Sequence, residues 1–175
     1  MGTDIRQAVE GNLADWQGLS LVETVASLSN RLGPLAERSE PEDKTRFQKR
    51  FRVSTLIRMA PPRRIEAWVL LGSDHIDLVE VDDPLVPNID RLLESLGPAD
   101  TIVPGKRYQA GAMVREHVYA GRGMTLSVAT PFGGGSGGTK GQDSIIHLQL
   151  FPATTVERWV TEIGAGPELH PFPRR

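Results

Sequence analysis

Two stretches of this chain, Leu21–Pro34 (LVETVASLSNRLGP) and Leu85–Pro98 (LVPNIDRLLESLGP), match at a constant spacing of 64 residues. Six positions are identical: Leu21/Leu85, Val22/Val86, Leu28/Leu92, Leu32/Leu96, Gly33/Gly97 and Pro34/Pro98. Val25 and Ile89 match in kind. The apolar positions 21, 22, 25, 28 and 32 share one face of a 3.6-residue period, so each stretch is expected to be an amphipathic helix. Leu-Gly-Pro ends each one, because glycine accepts the left-handed conformation past the last turn and proline cannot continue the ladder. An internal repeat of this size makes the chain two copies of one helix-then-strands unit.

The segments that follow alternate as strands do. From Phe47 to Met59, the residues Phe47, Phe51, Val53, Thr55, Ile57 and Met59 point one way, and Gln48, Arg50, Arg52, Ser54 and Arg58 point the other. That is the pattern of a half-buried antiparallel strand with a basic outer face. Further strands are expected at 75–81, 124–128 and 144–151. Gly72 and Gly123 each stand four residues after an aromatic, Trp68 and Tyr119, at a turn. Val156, Trp159, Val160 and Ile163 give a last helix an apolar face, with Thr154 as its cap and Glu157 three residues on, a capping-box spacing. The expected order is helix, three strands, helix, three strands, helix. This is an α+β fold of two tandem units, about 15–82 and 83–164, sharing or packing one sheet layer. A proline-rich tail, 165–175, is expected to be flexible.

Charge is unevenly spread. Between Lys44 and Arg64 lie eight basic residues and no acid, which leaves 12 basic against 22 acidic residues elsewhere in a chain of net charge −2. The acids include Asp74, Asp77, Glu80, Asp82 and Asp83. A basic stripe on an acidic protein suits an acidic polypeptide, docked on the strand face or added at a sheet edge. Nucleic acid is disfavoured, because no aromatic residues are interleaved for stacking and the pI is about 6.1. The bland alternative is a solvated face neutralised by acids such as Asp77 or Glu80 on a neighbouring strand.

The helix ending in Leu-Gly-Pro before antiparallel strands, with Trp68–Gly72 and Tyr119–Gly123, resembles the tandem repeats of the β-lactamase-inhibitor-protein and SmpA-like outer-membrane-assembly type. The chain departs from that family in having no cysteine and no export signal. Its size and repeat also resemble small peptide-binding accessory proteins of bacterial ribosomal-peptide pathways, the crocagin type. Both resemblances imply binding to a polypeptide.

Several motifs mimic catalytic ones. Gly133–Gly138 (GGGSGG) satisfies G-x-G-x-x-G, but it leads into a strand, so no helix N-terminus meets a phosphate there. The same glycines surround Ser136 in a G-x-S-x-G match, yet a nucleophile elbow needs a rigid turn. The segment reads as a long flexible hairpin loop. His75, His117, His147 and His170 show no metal-ligand spacing, and without cysteines no thiolate site exists. The carboxylate pairs Asp82-Asp83 and Asp74/Asp77 flank turns. Trp68 and Trp159 read as core. Trp16 reads either as a staple before the first helix or as an exposed anchor.

The sequence therefore points to a non-catalytic peptide- or protein-binding protein without metal or cofactor. Its expected contact residues are Lys49, Arg50, Arg52, Arg58, Arg63, Arg64 and Trp16. The alternative is a small enzyme with a cleft between the repeats that uses Glu116, His117 and His147. Lacking an apolar span or a signal, the chain is expected to be cytoplasmic and off the membrane. A homodimer is left open.

Overall fold

A computed structural model describes residues 3–105, 107, 109–132 and 142–164. The glycine stretch 133–138 and the tail 165–175 lie outside the described residues. The fold is α+β, and the described residues form four α-helices on one nine-stranded antiparallel sheet. In chain order the elements are α1 (Ile5–Val9), α2 (Val25–Leu32), β1 (Leu35–Arg38), β2 (Glu42–Arg46), β3 (Lys49–Arg58), β4 (Arg64–Leu70), β5 (Leu78–Asp82), α3 (Ile89–Leu96), β6 (Thr101–Pro104), β7 (Ala112–Tyr119), β8 (Met124–Pro131), β9 (Ser144–Leu150) and α4 (Val156–Glu162).

The repeated helices sit at the predicted spacing. Thr24 caps α2 by accepting from the Ser27 N–H at 3.2 Å, and Asn88 caps α3 by accepting from the Arg91 N–H at 2.9 Å. Gly33 (φ 79°) and Gly97 (φ 73°) end them in a conformation that disfavours any residue with a Cβ. The helices are shorter than their apolar pattern suggested. Thr24 takes extended angles as N-cap, so Leu21 and Val22 fall outside α2, and they stand 66% and 81% exposed.

The sheet order is β1-β3-β4-β5-β9-β8-β7-β6, with β2 also paired to β3. Each half carries a helix and an antiparallel meander, and the second half repeats the first in reverse order across the β5–β9 seam. There, Val79 pairs with Leu150 and Asp82 with His147. The two units thus share one continuous sheet. Periodicity missed α1, β1, β2 and β6. The strand β2 (EDKTR) has no apolar residue to alternate, and pairing with β3 alone makes it a strand. Phe47 (φ 49°) and Gln48 (φ 61°) form the tight turn between β2 and β3, so they are not strand residues. Gly72 and Gly123 mark turns as expected, but in different places, between β4 and β5 and between β7 and β8.

Two apolar clusters hold the layers. On one sheet face Leu56, Ile65, Val79, Val81, Leu126 and Leu148 pack with α1, α2 and α3 through Val9, Leu28, Leu32, Ile89 and Leu92. On the other face Phe51, Val53, Trp68, Leu78, Val118 and Phe151 receive Trp159 of α4. Thr155, not Thr154, caps α4, and Val160 is 48% exposed, so α4 turns a narrower apolar stripe inward.

Gly123 is a tight point of the fold. Its carbonyl accepts from the Trp16 indole N–H at 3.2 Å and from the Phe151 N–H at 2.9 Å. A Cβ there would overlap the Phe151 carbonyl oxygen, at φ +63°. Gly123→Ala is expected to cost about 3 kcal/mol or more, as overpacking against backbone with no collapsible neighbour. Urea denaturation of the variant measures it, and an unshifted midpoint would contradict this packing.

Candidate binding site

The basic stripe divides between the two sheet faces. Arg50, Arg52 and Arg58 share one face, as alternation predicted; it is the helix-bearing side, where Arg58 is buried while Arg50 and Arg52 stay exposed. Arg58 is 8% exposed and donates to Glu10 of the α1 end at 2.9 Å. Arg50 donates to Asp43 at 2.8 Å. Lys44, Arg46, Lys49 and Arg64 face the other way. Lys44 and Arg64 converge on Glu66, Arg46 pairs with Glu80 at 3.0 Å, and Lys49 meets Glu162 at 3.3 Å. The acids therefore come from β2, β4, β5, α1 and α4. The side chains of Arg52 and Arg63 make no hydrogen bond or ion pair among the described residues. Trp16 is 3% exposed and belongs to the core, so it offers no exposed anchor.

Glu116, His117 and His147 do not form one cluster. In β7 the residues alternate, so Glu116 pairs with Ser127 and His117 with Leu126. His117 therefore stands on the helix-bearing face. Glu116 and His147 stand on the opposite face, where pairing aligns Glu116, Ser127, His147 and Asp82 across four strands. An adjoining row carries Thr125, Gln149, Glu80 and Glu66. Two polar rows on a sheet face that elsewhere buries Trp68 and Phe151 are costly unless paired.

Pairing is extensive. Glu80 accepts from Arg46 at 3.0 Å and from the Gln149 Nε2 at 2.9 Å. The second Arg46 Nη donates to the carbonyls of Ile163 at 2.6 Å and Gly164 at 3.2 Å, tying the end of α4 to the site. Arg107 reaches in from the β6–β7 connection, 3.3 Å from Asp82 and 2.6 Å from the His147 Nε2. The Ser127 hydroxyl donates to Glu116 at 3.1 Å.

The electrostatics follow from burial. His147, 2% exposed, is pushed down to about 3, chiefly by desolvation, with Arg107 and Arg46 adding to it and Glu80 opposing. It is therefore neutral at pH 7, and its Nε2 accepts from Arg107. Burial pushes the Glu80 carboxyl up, but Arg46, by charge and hydrogen bond, and Gln149 outweigh it and hold Glu80 below its ordinary value. Burial raises Asp82 despite Arg107 and Arg64. Around these groups lies a chamber of about 200 Å³, which Trp159 also lines. The Gln149 Oε1 and the Trp159 indole N–H, both buried, have no hydrogen-bond partner among the described residues.

A second cavity of about 570 Å³ runs along the other side chains of α4. Phe51, Trp68 and Leu78 form its floor, Leu21 and Ile163 its apolar lips, and Lys49, Arg158 and Glu162 its charged rim. Its volume is in the range of ligand pockets, roughly 300–1,000 Å³. Glu162 serves both Lys49 and Arg158, at 3.3 and 3.2 Å. The exposed Leu21 and Val22 extend the apolar surface past the groove mouth.

The remaining sequence candidates have structural roles. Asp77 accepts from the Leu70 N–H at 2.8 Å, Asp83 (φ 49°) turns the chain after β5, and Asp74 is fully exposed. Among the described residues no group of three His, Asp or Glu could hold a metal ion. No described helix is long and apolar enough to cross a membrane. Sequence reasoning missed Arg107, Gln149 and Glu80 as site residues. Their one signal was polar alternation within strands, Glu80-x-Asp82 and His147-x-Gln149, which also fits a solvated face.

Comparison of the chain with protein-family models, curated proteins and solved structures finds no match.

Proposed function

We propose that this chain is a non-catalytic binding protein that holds a polypeptide segment in the groove between α4 and the β3–β5 part of the sheet. One observation carries this reading: an apolar groove floored by Phe51, Trp68 and Leu78 continues onto the exposed Leu21 and Val22. A polypeptide covers such an extended surface, whereas a small molecule fills only the cavity. The occupant is a segment with apolar side chains flanked by carboxylates, since Lys49 and Arg158 share the single carboxylate of Glu162. A precursor or target polypeptide in the cytoplasm fits this chemistry better than nucleic acid. The polar row supports binding over catalysis, because Ser127 donates to Glu116 and the His147 Nε2 is taken by Arg107, so no relay from serine to histidine is set up.

The test is selection of short peptides from a random library, followed by titration of the winners against wild type and two surface variants. Winners are expected to carry apolar residues beside Asp or Glu. Leu21→Asp is expected to weaken them about 10-fold or more, the effect of burying a new charge in place of a leucine contact. Binding that survives Leu21→Asp but is lost on reversing Arg50 and Arg52 would move the site to the helix-bearing face. An empty selection would count against polypeptide binding altogether.

A further inference from the structure

The groove along α4 and the apolar pair at its mouth lie side by side on one surface. Val22, 81% exposed, is the most exposed of the large apolar side chains among the described residues, and Leu21 is 66% exposed. In the second unit the matching Val86 packs against the main core cluster, beside the turn at Gly11. In the first unit the same pair stands out as a knob. Two adjoining apolar side chains in water beside an apolar hollow mark a contact surface. The charges around it say what the contact is with. On the α4 wall of the groove, Lys49 and Arg158 share the one carboxylate of Glu162. The opposite wall carries His75 and Asp77, whose carboxylate accepts from the Leu70 N–H. Next to them the Asp74 carboxylate is fully exposed, 3.7 Å from the His75 ring. The Ile76 N–H donates to the Glu23 carbonyl at 2.7 Å, which ties this loop to the Leu21–Val22 turn. The knob is therefore two apolar side chains beside a carboxylate, the chemistry that the groove itself takes.

We infer that the groove of one copy receives the Leu21–Val22 knob of a second copy, in an isologous dimer, and that a bound polypeptide and the second copy exclude one another. A surface that carries both a knob and the hollow for it is self-complementary about a twofold axis. With that axis along the groove, the cationic α4 wall of each copy faces the Asp74 wall of the other, so unlike charges meet. The mutual exclusion rests on the reading of the groove as a polypeptide site; the dimer does not.

Sedimentation velocity of the full chain from about 1 to 500 µM tests this, with a monomer–dimer equilibrium expected at a Kd on the order of 10–100 µM, weak because the contact is small. Val22→Asp, at an exposed position with little packing to lose, is expected to weaken the dimer about 10-fold or more. Asp74→Lys is expected to weaken it as well, and Arg158→Glu added to that chain to restore it, because the facing walls again carry unlike charges. A peptide selected for the groove is expected to dissociate the dimer. A chain that stays monomeric throughout, or a dimer untouched by Val22→Asp, would overturn the proposal and leave peptide binding standing. A dimer dissociated by Val22→Asp supports it even where peptide selection is empty, so the two readings fail separately. A peptide that binds the dimer without dissociating it would overturn the mutual exclusion.

Discussion

Trp159→Ala is expected to lower the stability of the chain by about 3–5 kcal/mol, the range for removing a large aromatic from a packed core. Trp159 is 1% exposed and is the largest of the fully buried side chains. It docks α4 onto Phe51, Trp68, Val118 and Phe151. The helix has seven residues, too few to persist alone, so its order depends on that docking. The Arg46 bonds to the carbonyls of Ile163 and Gly164 and the Lys49–Glu162 pair are too few to replace it. Loss of α4 would also remove one wall of the groove, so peptide binding is expected to fall with stability. Val160→Ala, on the exposed side of the same helix, is expected to stay within about 0.5 kcal/mol. Guanidinium denaturation of both variants measures the contrast. Equal midpoints would refute the view that one buried indole anchors the helix.

Acid is expected to destabilise the chain well before its surface carboxylates protonate. The unfolded chain protonates His147 near pH 6.5, whereas the folded chain resists until about 3. The unfolded state therefore binds the extra proton first. The stabilising contribution is complete above about pH 6.5 and is lost progressively as pH falls toward 3. Glu80, held below its ordinary value, adds a loss of the same sign at the lower end of that window. Asp82, raised by burial, acts oppositely, because the folded state takes its proton more readily and gains stability as pH falls. His117, lowered by burial and by Arg115, contributes with the sign of His147. On balance, roughly 3 kcal/mol is expected to be lost between pH 6.5 and 4, since each tenfold difference in proton affinity between the two states is worth about 1.4 kcal/mol. His147→Gln keeps an acceptor for Arg107 but carries no titrating ring. Its stability is expected to be nearly flat over pH 6.5–4.5, apart from the residual slope of His117. Denaturation midpoints at several pH values decide it, and parallel slopes for variant and wild type would remove His147 as the cause.

How far the fold was legible depended on how local its causes are. A helix is selected by apolar residues three and four apart and is ended by groups within one turn of it. Both repeated helices, their Leu-Gly-Pro stops and the alternation of β3 could therefore be read residue by residue. The exposed Leu21 and Val22 show the limit, since their apolar match was real while the cap at Thr24 excluded them from the helix. For β2, the residues EDKTR carry no period at all, and the strand exists because the Phe47-Gln48 turn folds it onto β3.

The site was much less legible, because register sets it. From sequence, Glu116, His117 and His147 are expected in one cleft, yet adjacent strand residues point opposite ways, and alternation does not say which of them shares a face with the other strand's residues. A slip of one residue exchanges every side chain between faces. Only the pairings of β7 with β8, β8 with β9 and β9 with β5 set Glu116, Ser127, His147 and Asp82 in one row. The same pairings sent His117 to the far side. The sequence by itself determined the α+β class, the two helix-led units and the crowding of cations between Lys44 and Arg64, because propensity, capping and composition act over a few residues. The tertiary structure alone decided that the sheet is continuous, which acids those cations meet, and that Arg107 closes on His147. The seam between β5 and β9 and the Arg107–His147 contact join groups 40 or more residues apart, whose meeting is chosen by the burial of the whole sheet.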